Sequence, residues 1–131
     1  MIFRKEYYFL SNMYKCYILY KGIKFSCVEA AFQAQKDINR SHEFEKLDGF
    51  EAKKLGRRVN MRKDWDVIKI DLMRELLEII FLDHPELANK LKKINEPIVE
   101  ENNWGDTFWG CCHGIGQNHL GQLLEEIKSQ L

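Results

Sequence analysis

Glu29, Gln33 and Lys36 fall four and then three residues apart in Val28-Glu29-Ala30-Ala31-Phe32-Gln33-Ala34-Gln35-Lys36. On a helix, that spacing sets a carboxylate, an amide and an amine on one face beside an apolar side of Val28, Ala31, Phe32 and Gln35. Such a stripe is the raw material of acid–base chemistry, and it is equally the pattern of a solvated helix surface. A second group follows at Arg57, Arg58 and Arg62, leading into Lys63-Asp64-Trp65. Guanidinium groups pair bidentately with phosphate and an indole stacks on a base or sugar; the alternative is a surface charge cluster next to a buried helix anchor.

The third group is Asn102-Asn103-Trp104-Gly105-Asp106-Thr107-Phe108-Trp109-Gly110, continuing to Gly114-Ile115-Gly116-Gln117-Asn118. Gly105, Gly110, Gly114 and Gly116 permit close backbone approach to a ligand, and the segment runs into a helix start near Asn118, which describes a diphosphate cradle. The other reading is a structural loop locked by Trp104 and Trp109 in the core. No G-K-[ST] follows and no parallel-strand unit precedes, so neither a Walker A loop nor a dinucleotide fingerprint is present. Cys111-Cys112-His113, with His119 nearby, is poorly spaced for zinc because adjacent cysteines do not easily share one tetrahedral ion. A cysteine nucleophile activated by His113 is the remaining possibility there. No metal site and no cofactor are expected.

The elements that must position these groups follow from pattern. Tyr14 to Tyr20 is rich in β-favouring residues, Lys21-Gly22 supplies a tight turn, and Ile23-Lys24-Phe25 returns, giving a short β-hairpin. Ser26-Cys27-Val28-Glu29 has capping-box form, so a first helix is predicted to start at Ser26 and run through Lys36. A second spans Phe50 to Leu55, capped near Asp48 or Gly49, with Gly56 placed to end it in a left-handed conformation. Trp65, Ile68, Leu72, Leu76, Ile79 and Ile80 keep helical period, widened by Val67, Ile70, Met73 and Leu77, and predict a long core helix. Pro85 opens another through Leu87, Leu91 and Ile94, and Leu120, Leu123, Leu124, Ile127 and Leu131 mark a last one. The 102–118 segment belongs to no element. The fold expected is mainly α with a small N-terminal β-hairpin, in one domain over residues 1–131.

Composition agrees with a globular chain: 131 residues, 45% hydrophobic and 31% charged, with 20 basic side chains against 20 acidic ones. That balance gives no general field for nucleic acid or an anionic membrane, so any phosphate recognition is local. The charged start Met1-Ile2-Phe3-Arg4-Lys5-Glu6 lacks the apolar core of a signal peptide, and the four cysteines read as reduced thiols. A cytoplasmic location is expected.

Taken in order, these groups resemble the YbiA-like, or NADAR, family. Phe9-Leu10-Ser11-Asn12 resembles its opening F-x-N-type motif, and Val28 to Lys36 its S-E-H-x-F-Q-A-Q-K helix. Gly56-Arg57 and then Met61-Arg62-Lys63-Asp64-Trp65-Asp66 are similar to G-R-x-x-x-L-R-x-D-W. Asp106-Thr107-Phe108-Trp109-Gly110 and Gly116-Gln117-Asn118-His119-Leu120-Gly121 resemble D-x-x-W-G and G-x-N-x-L-G. The resemblance spans nearly the whole chain. It departs at Ala30 and Ala31, where the family often has His and Tyr, and at Cys111-Cys112-His113-Gly114.

The resemblance implies a mainly α fold and hydrolysis of N-ribosides, either ribosylamino-pyrimidine phosphates of riboflavin synthesis or ADP-ribose attached to a nucleobase. The partner is thus a small-molecule or nucleotide-linked ribosyl substrate. Glu29 and Asp106 become the acid/base or electrostatic groups, and Trp65 and Trp109 the pocket walls. Lys36 tunes Glu29 or captures ribose as a Schiff base. Arg57 and Arg62 hold phosphate; Asn12, Gln33 and Asn118 fix ribose hydroxyls or backbone, beside Gly110. The competing reading is a non-catalytic ADP-ribose-binding module, with Ala30 and Ala31 marking an emptied site.

Overall fold

The computed structural model describes all residues 1–131, and the chain divides into two compact units, Asn12–Ile80 and Met1–Ser11 with Phe81–Leu131. In the first, β1 (Ile18–Tyr20) pairs antiparallel with β2 (Ile23–Phe25), Ile18 opposite Phe25. Lys21 (φ 49°) and Gly22 (φ 84°) supply the two positive φ angles that a two-residue hairpin turn needs, as their sequence promised.

The first helix, α1 (Val28–Ala34), is shorter than its sequence pattern at both ends. Cys27, not Ser26, is the N-cap and makes no side-chain cap bond, while the Ser26 hydroxyl donates to the Leu47 carbonyl at 2.5 Å. The capping box is therefore not formed. The carbonyl of Asn12 accepts the Glu29 N–H instead, at 3.0 Å, so a tertiary contact does the work expected of a local cap. At the other end Gln35 is the C-cap, and Lys36 lies just beyond the helix.

A 3₁₀ segment (Ile38–Phe44) leads to α2 (Gly49–Gly56). Here the box is real: Asp48 accepts from the Glu51 N–H at 2.8 Å, and Glu51 accepts from the Asp48 N–H at 2.9 Å. Gly56 does not take the left-handed cap conformation expected of it; it is the last helical residue, and Arg57 caps the helix in right-handed geometry. Gly49, Ala52 and Gly56 are all buried, a small-residue face at helical spacing packed on α1.

The long helix α3 (Trp65–Asp83) buries Trp65, Leu72, Met73, Leu76, Leu77 and Ile80. Each buried side chain of this size stabilises the fold by roughly 1.5–3 kcal/mol relative to exposure. Val67 is exposed, so the apolar stripe is narrower than the sequence implied.

In the second unit, α4 (Pro85–Lys92) starts on Pro85 and buries Leu87 and Leu91 against α5 (His119–Ser129), which buries Leu120, Leu123, Leu124 and Ile127. Leu131 lies past α5 and is exposed. The segment expected to belong to no element contributes a parallel pair, β3 (Glu101–Asn102) with β4 (Cys111–Cys112), extended by a bridge from Ile2 to Glu101. Two residues per strand are too few to leave an alternating pattern in sequence. The terminal amine of Met1 donates to the Val99 carbonyl at 3.1 Å and pairs with Glu101 at 2.9 Å. No helix is long and apolar enough to cross a membrane.

Candidate active site

In the Asn12–Ile80 unit the α1 stripe forms a bonded group. Gln33 Nε2 donates to Glu29 Oε2 at 2.9 Å, the i, i+4 contact anticipated from spacing. The stripe is not solvated, however: Gln33 is 7% exposed and its neighbour Gln35 2%. With α2, the hairpin and the 3₁₀ segment all packed on a seven-residue helix, only Glu29 of α1 keeps partial exposure. Ala30 and Ala31 are fully buried core residues.

Lys36 carries its ammonium nitrogen 5.6 Å from the Trp65 ring centroid, and Trp65, 5% exposed, packs on Phe32 with centroids 4.8 Å apart. Burial holds the Lys36 amine below the usual lysine range. Glu29 opposes that shift, while Arg57, Lys69 and Lys53 add to it. Trp65 is thus both the helix anchor and the surface on which the amine rests.

The two arginines separate. Arg57 caps α2 and reaches Lys36 through its charge. Arg62 is committed to Asp64 by two bonds of 2.6 and 3.0 Å, and its N–H ties to the Lys36 carbonyl at 2.8 Å. It lines a cavity of about 220 Å³ with Tyr20, Gln35, Leu72 and Glu75, which none of Glu29, Lys36 or Trp65 borders. Asn12 supports the group from behind, its carbonyl on the Glu29 N–H and its Nδ2 3.5 Å from Met73 Sδ.

In the other unit the loop uses its polar groups on itself. Asp106 Oδ1 accepts from the N–H groups of Phe108 (3.1 Å) and Trp109 (2.9 Å). Asn102 clamps the Asp106 backbone, donating to its carbonyl at 2.8 Å and accepting from its N–H at 3.1 Å. Asn118, left-handed at φ 54°, accepts from Glu100 N–H at 2.9 Å and donates to Ile98 O at 3.0 Å.

The anion-cradle arrangement meets the same economy. The N–H groups of Cys111, Cys112, Ile115, Gln117, Asn118, His119 and Leu120 all donate to backbone carbonyls, so the first turn of α5 is closed by Phe108 O and Trp109 O. Gly105, Gly114 and Gly116 have positive φ, whereas Gly110 does not. A Cβ at Gly110 would come 2.2 Å from the Glu100 carbonyl, so glycine there allows close packing.

Glu100 was not singled out by sequence. It is 7% exposed, and its Oε1 accepts from Asn102 Nδ2 at 3.0 Å. Nothing in Ile98-Val99-Glu100-Glu101 distinguishes a buried acid from its exposed neighbour. Trp104, at 64% exposure, is not in the core, while Trp109 packs edge-on against Phe108 at 4.9 Å, which in turn lies 4.4 Å from His119. No cysteine is bridged, and no three His, Cys, Asp or Glu residues are grouped to hold a metal ion.

The NADAR domain matches residues 2–131. The N-glycosidase YbiA of Escherichia coli is 34% identical over 109 residues, covering 79% of this chain and 68% of that protein. An N-glycosidase of Nostoc punctiforme is 37% identical over 84 residues, covering 62% of this chain and 54% of the relative. A riboflavin biosynthesis protein of Vibrio vulnificus is 31% identical over 129 residues, covering 94% of this chain but 35% of its own length. The chain thus spans about half of the Nostoc protein and a third of the Vibrio one. The NMR structure of E. coli YbiA superposes with a TM-score of 0.86 at 31% identity, covering 99% of this chain and 83% of that one. The fold is YbiA-like, and the chain belongs to the NADAR domain family.

Proposed function

We propose that this protein is an N-glycosidase that hydrolyses the bond between a nitrogen base and a phosphorylated or ADP-linked ribose. The observation that carries the reading is the bonded group on α1: a partly exposed Glu29 carboxylate oriented by Gln33, with the Lys36 amine beside it on Trp65. Its support outside the molecule is that relatives from E. coli and Nostoc are named N-glycosidases, and the one from Vibrio vulnificus a riboflavin biosynthesis protein.

The chemistry follows from the residue types. As the bond from C1 to nitrogen lengthens, positive charge builds on C1 and the ring oxygen, and an ionised Glu29 stabilises it. Lowered by burial, the Lys36 amine is available uncharged at a lower pH than an ordinary lysine. It bonds to C1 as the C1–base bond breaks, and the C1–ring-oxygen bond then opens to leave a Schiff base; of the two amine protons given up, one goes to the departing nitrogen and one to the ring oxygen. Water then adds to C1, the C1–Lys36 bond breaks, and the amine is regenerated with free ribose phosphate or ADP-ribose as product. Arg57 provides charge for the phosphate. Asp106, by holding the Phe108 and Trp109 amides, shapes the loop that presents Trp109 and Gly110, and its structural bonds argue for that role over proton donation.

An ADP-ribosylated guanine nucleotide and a ribosylaminopyrimidine phosphate, supplied separately and followed by mass spectrometry, test the reading. Release of free base from either is expected, and borohydride added during turnover is expected to leave a reduced sugar adduct on Lys36. Binding of both substrates with no release of base would replace the enzyme with an ADP-ribose-binding module.

A further inference from the structure

We infer that Gly56 is a positioning residue for the Glu29 carboxylate, acting through Gln33; this rests on the reading of Glu29 as the reacting carboxylate. Gly56 closes α2 with an ordinary φ, so no left-handed conformation demands glycine there. At a helical position alanine is favoured over glycine by about 0.8–1 kcal/mol, so helix formation works against glycine. What does require it is space. A Cβ at residue 56 would lie 2.1 Å from Gln33 Oε1, 2.9 Å from its Cδ and 3.4 Å from its Cβ.

The geometry links that space to the carboxylate. Gln33 Oε1 is buried and accepts no hydrogen bond, so the amide is oriented by its donor side alone, the 2.9 Å bond from Nε2 to Glu29 Oε2. Nothing on the acceptor side would hold the amide in place if it were pushed. The atoms nearest the added methyl are the movable end of a side chain, not backbone. The fold therefore survives the substitution, and the Gln33 amide is what gives way, removing the 2.9 Å bond by which it orients Glu29.

Gly49 has the matching relation two turns earlier on the same face. A Cβ there would lie 2.1 Å from Met13 Sδ and 3.4 Å from Glu29 Cβ. The small-residue face of α2 thus fits under Glu29 at one end and under Gln33 at the other. The G-R motif read from sequence as a helix exit contains the residue that gives the Gln33 amide room.

The test is a cycle of Gly56→Ala, Gln33→Ala and the double variant, with kcat and KM measured on whichever ribosyl substrate the wild type turns over, and with folding checked by thermal unfolding. Gly56→Ala is expected to lower kcat about 10- to 100-fold with little change in KM, the scale of a misplaced reacting group. In the Gln33→Ala background, which removes the clash, the same glycine change is expected to cost nothing further. Losses that multiply in the double variant, or a folded Gly56→Ala enzyme with wild-type kcat, would overturn the inference.

A second readout does not depend on turnover. The Gln33 side-chain amide resonances in a ¹⁵N spectrum are expected to move in Gly56→Ala and in Glu29→Gln. If the wild type proves inactive but the Gln33 resonances move, Gly56 still positions the amide and only the enzymatic reading falls. Unmoved resonances in Gly56→Ala sink the inference even if the enzyme is active.

Discussion

Two regions of this molecule use the same kinds of side chain for opposite ends. On α1, Glu29 and Gln33 bond to each other and keep the carboxylate partly exposed. In the 100–118 loop, Asn102, Asp106 and Asn118 give much of their bonding to neighbouring backbone, while Glu100 accepts from the Asn102 side chain, and together they hold the loop's shape. The difference follows from what surrounds them. A helix satisfies its own backbone, so its polar side chains are available for chemistry. A loop with several glycines does this only in part, and its acids and amides supply the remaining partners. An acid in such a loop therefore needs a better argument for catalysis than its residue type.

The sharpest way to break that contrast is through the tryptophans and acids on its two sides. Trp65→Ala removes a buried ring packed on Phe32 and supporting Lys36, and is expected to cost about 3–5 kcal/mol in denaturant unfolding. Asp106→Ala leaves the Phe108 and Trp109 amides without their acceptor and is expected to cost about 1–3 kcal/mol. Asp106→Asn, which keeps a carbonyl oxygen, should recover most of that stability and much of any activity. An Asp106→Asn enzyme as stable as wild type yet inactive would return Asp106 to proton transfer. Trp104→Ala, on an exposed ring, should change stability by no more than about 0.5 kcal/mol.

A pH measurement sharpens the α1 side. The folded-state pKa of Lys36 lies below that of the unfolded chain, so the native state binds fewer protons between the two values. The burial penalty is fully present at pH below the folded pKa and is relieved as pH rises through it toward the ordinary lysine value. Lys36→Met is accordingly expected to raise the melting temperature at neutral pH, with a gain that shrinks in alkali. Reductive ¹³C-methylation followed by NMR titration is expected to give a Lys36 inflection below those of exposed lysines. A Lys36 inflection at the ordinary lysine position would remove the support for an amine nucleophile.

Much of this was legible in sequence wherever local physics decides. The Lys21-Gly22 turn, the Asp48 cap, Pro85 at the start of α4 and the Glu29–Gln33 spacing each need only a few neighbouring residues. Ser26 and Gly56 misled because their roles are tertiary. Ser26 turns to Leu47 while Asn12 takes over the helix start, and Gly56 serves Gln33 across a helix contact. Gln33 reads as part of a polar stripe and is buried because α1 is enclosed on nearly every side. Glu100 gave no signal, since its burial depends on Gly110 and Asn102, distant or ambiguous in sequence.

The central claim is that Glu29 carries the chemistry and not the fold, and Glu29→Gln tests it most directly. Turnover of a ribosyl N-glycoside by this variant is expected to fall by about a thousandfold or more relative to wild type, with nearly unchanged melting temperature and retained substrate binding. Wild-type turnover by a folded Glu29→Gln protein would contradict the account.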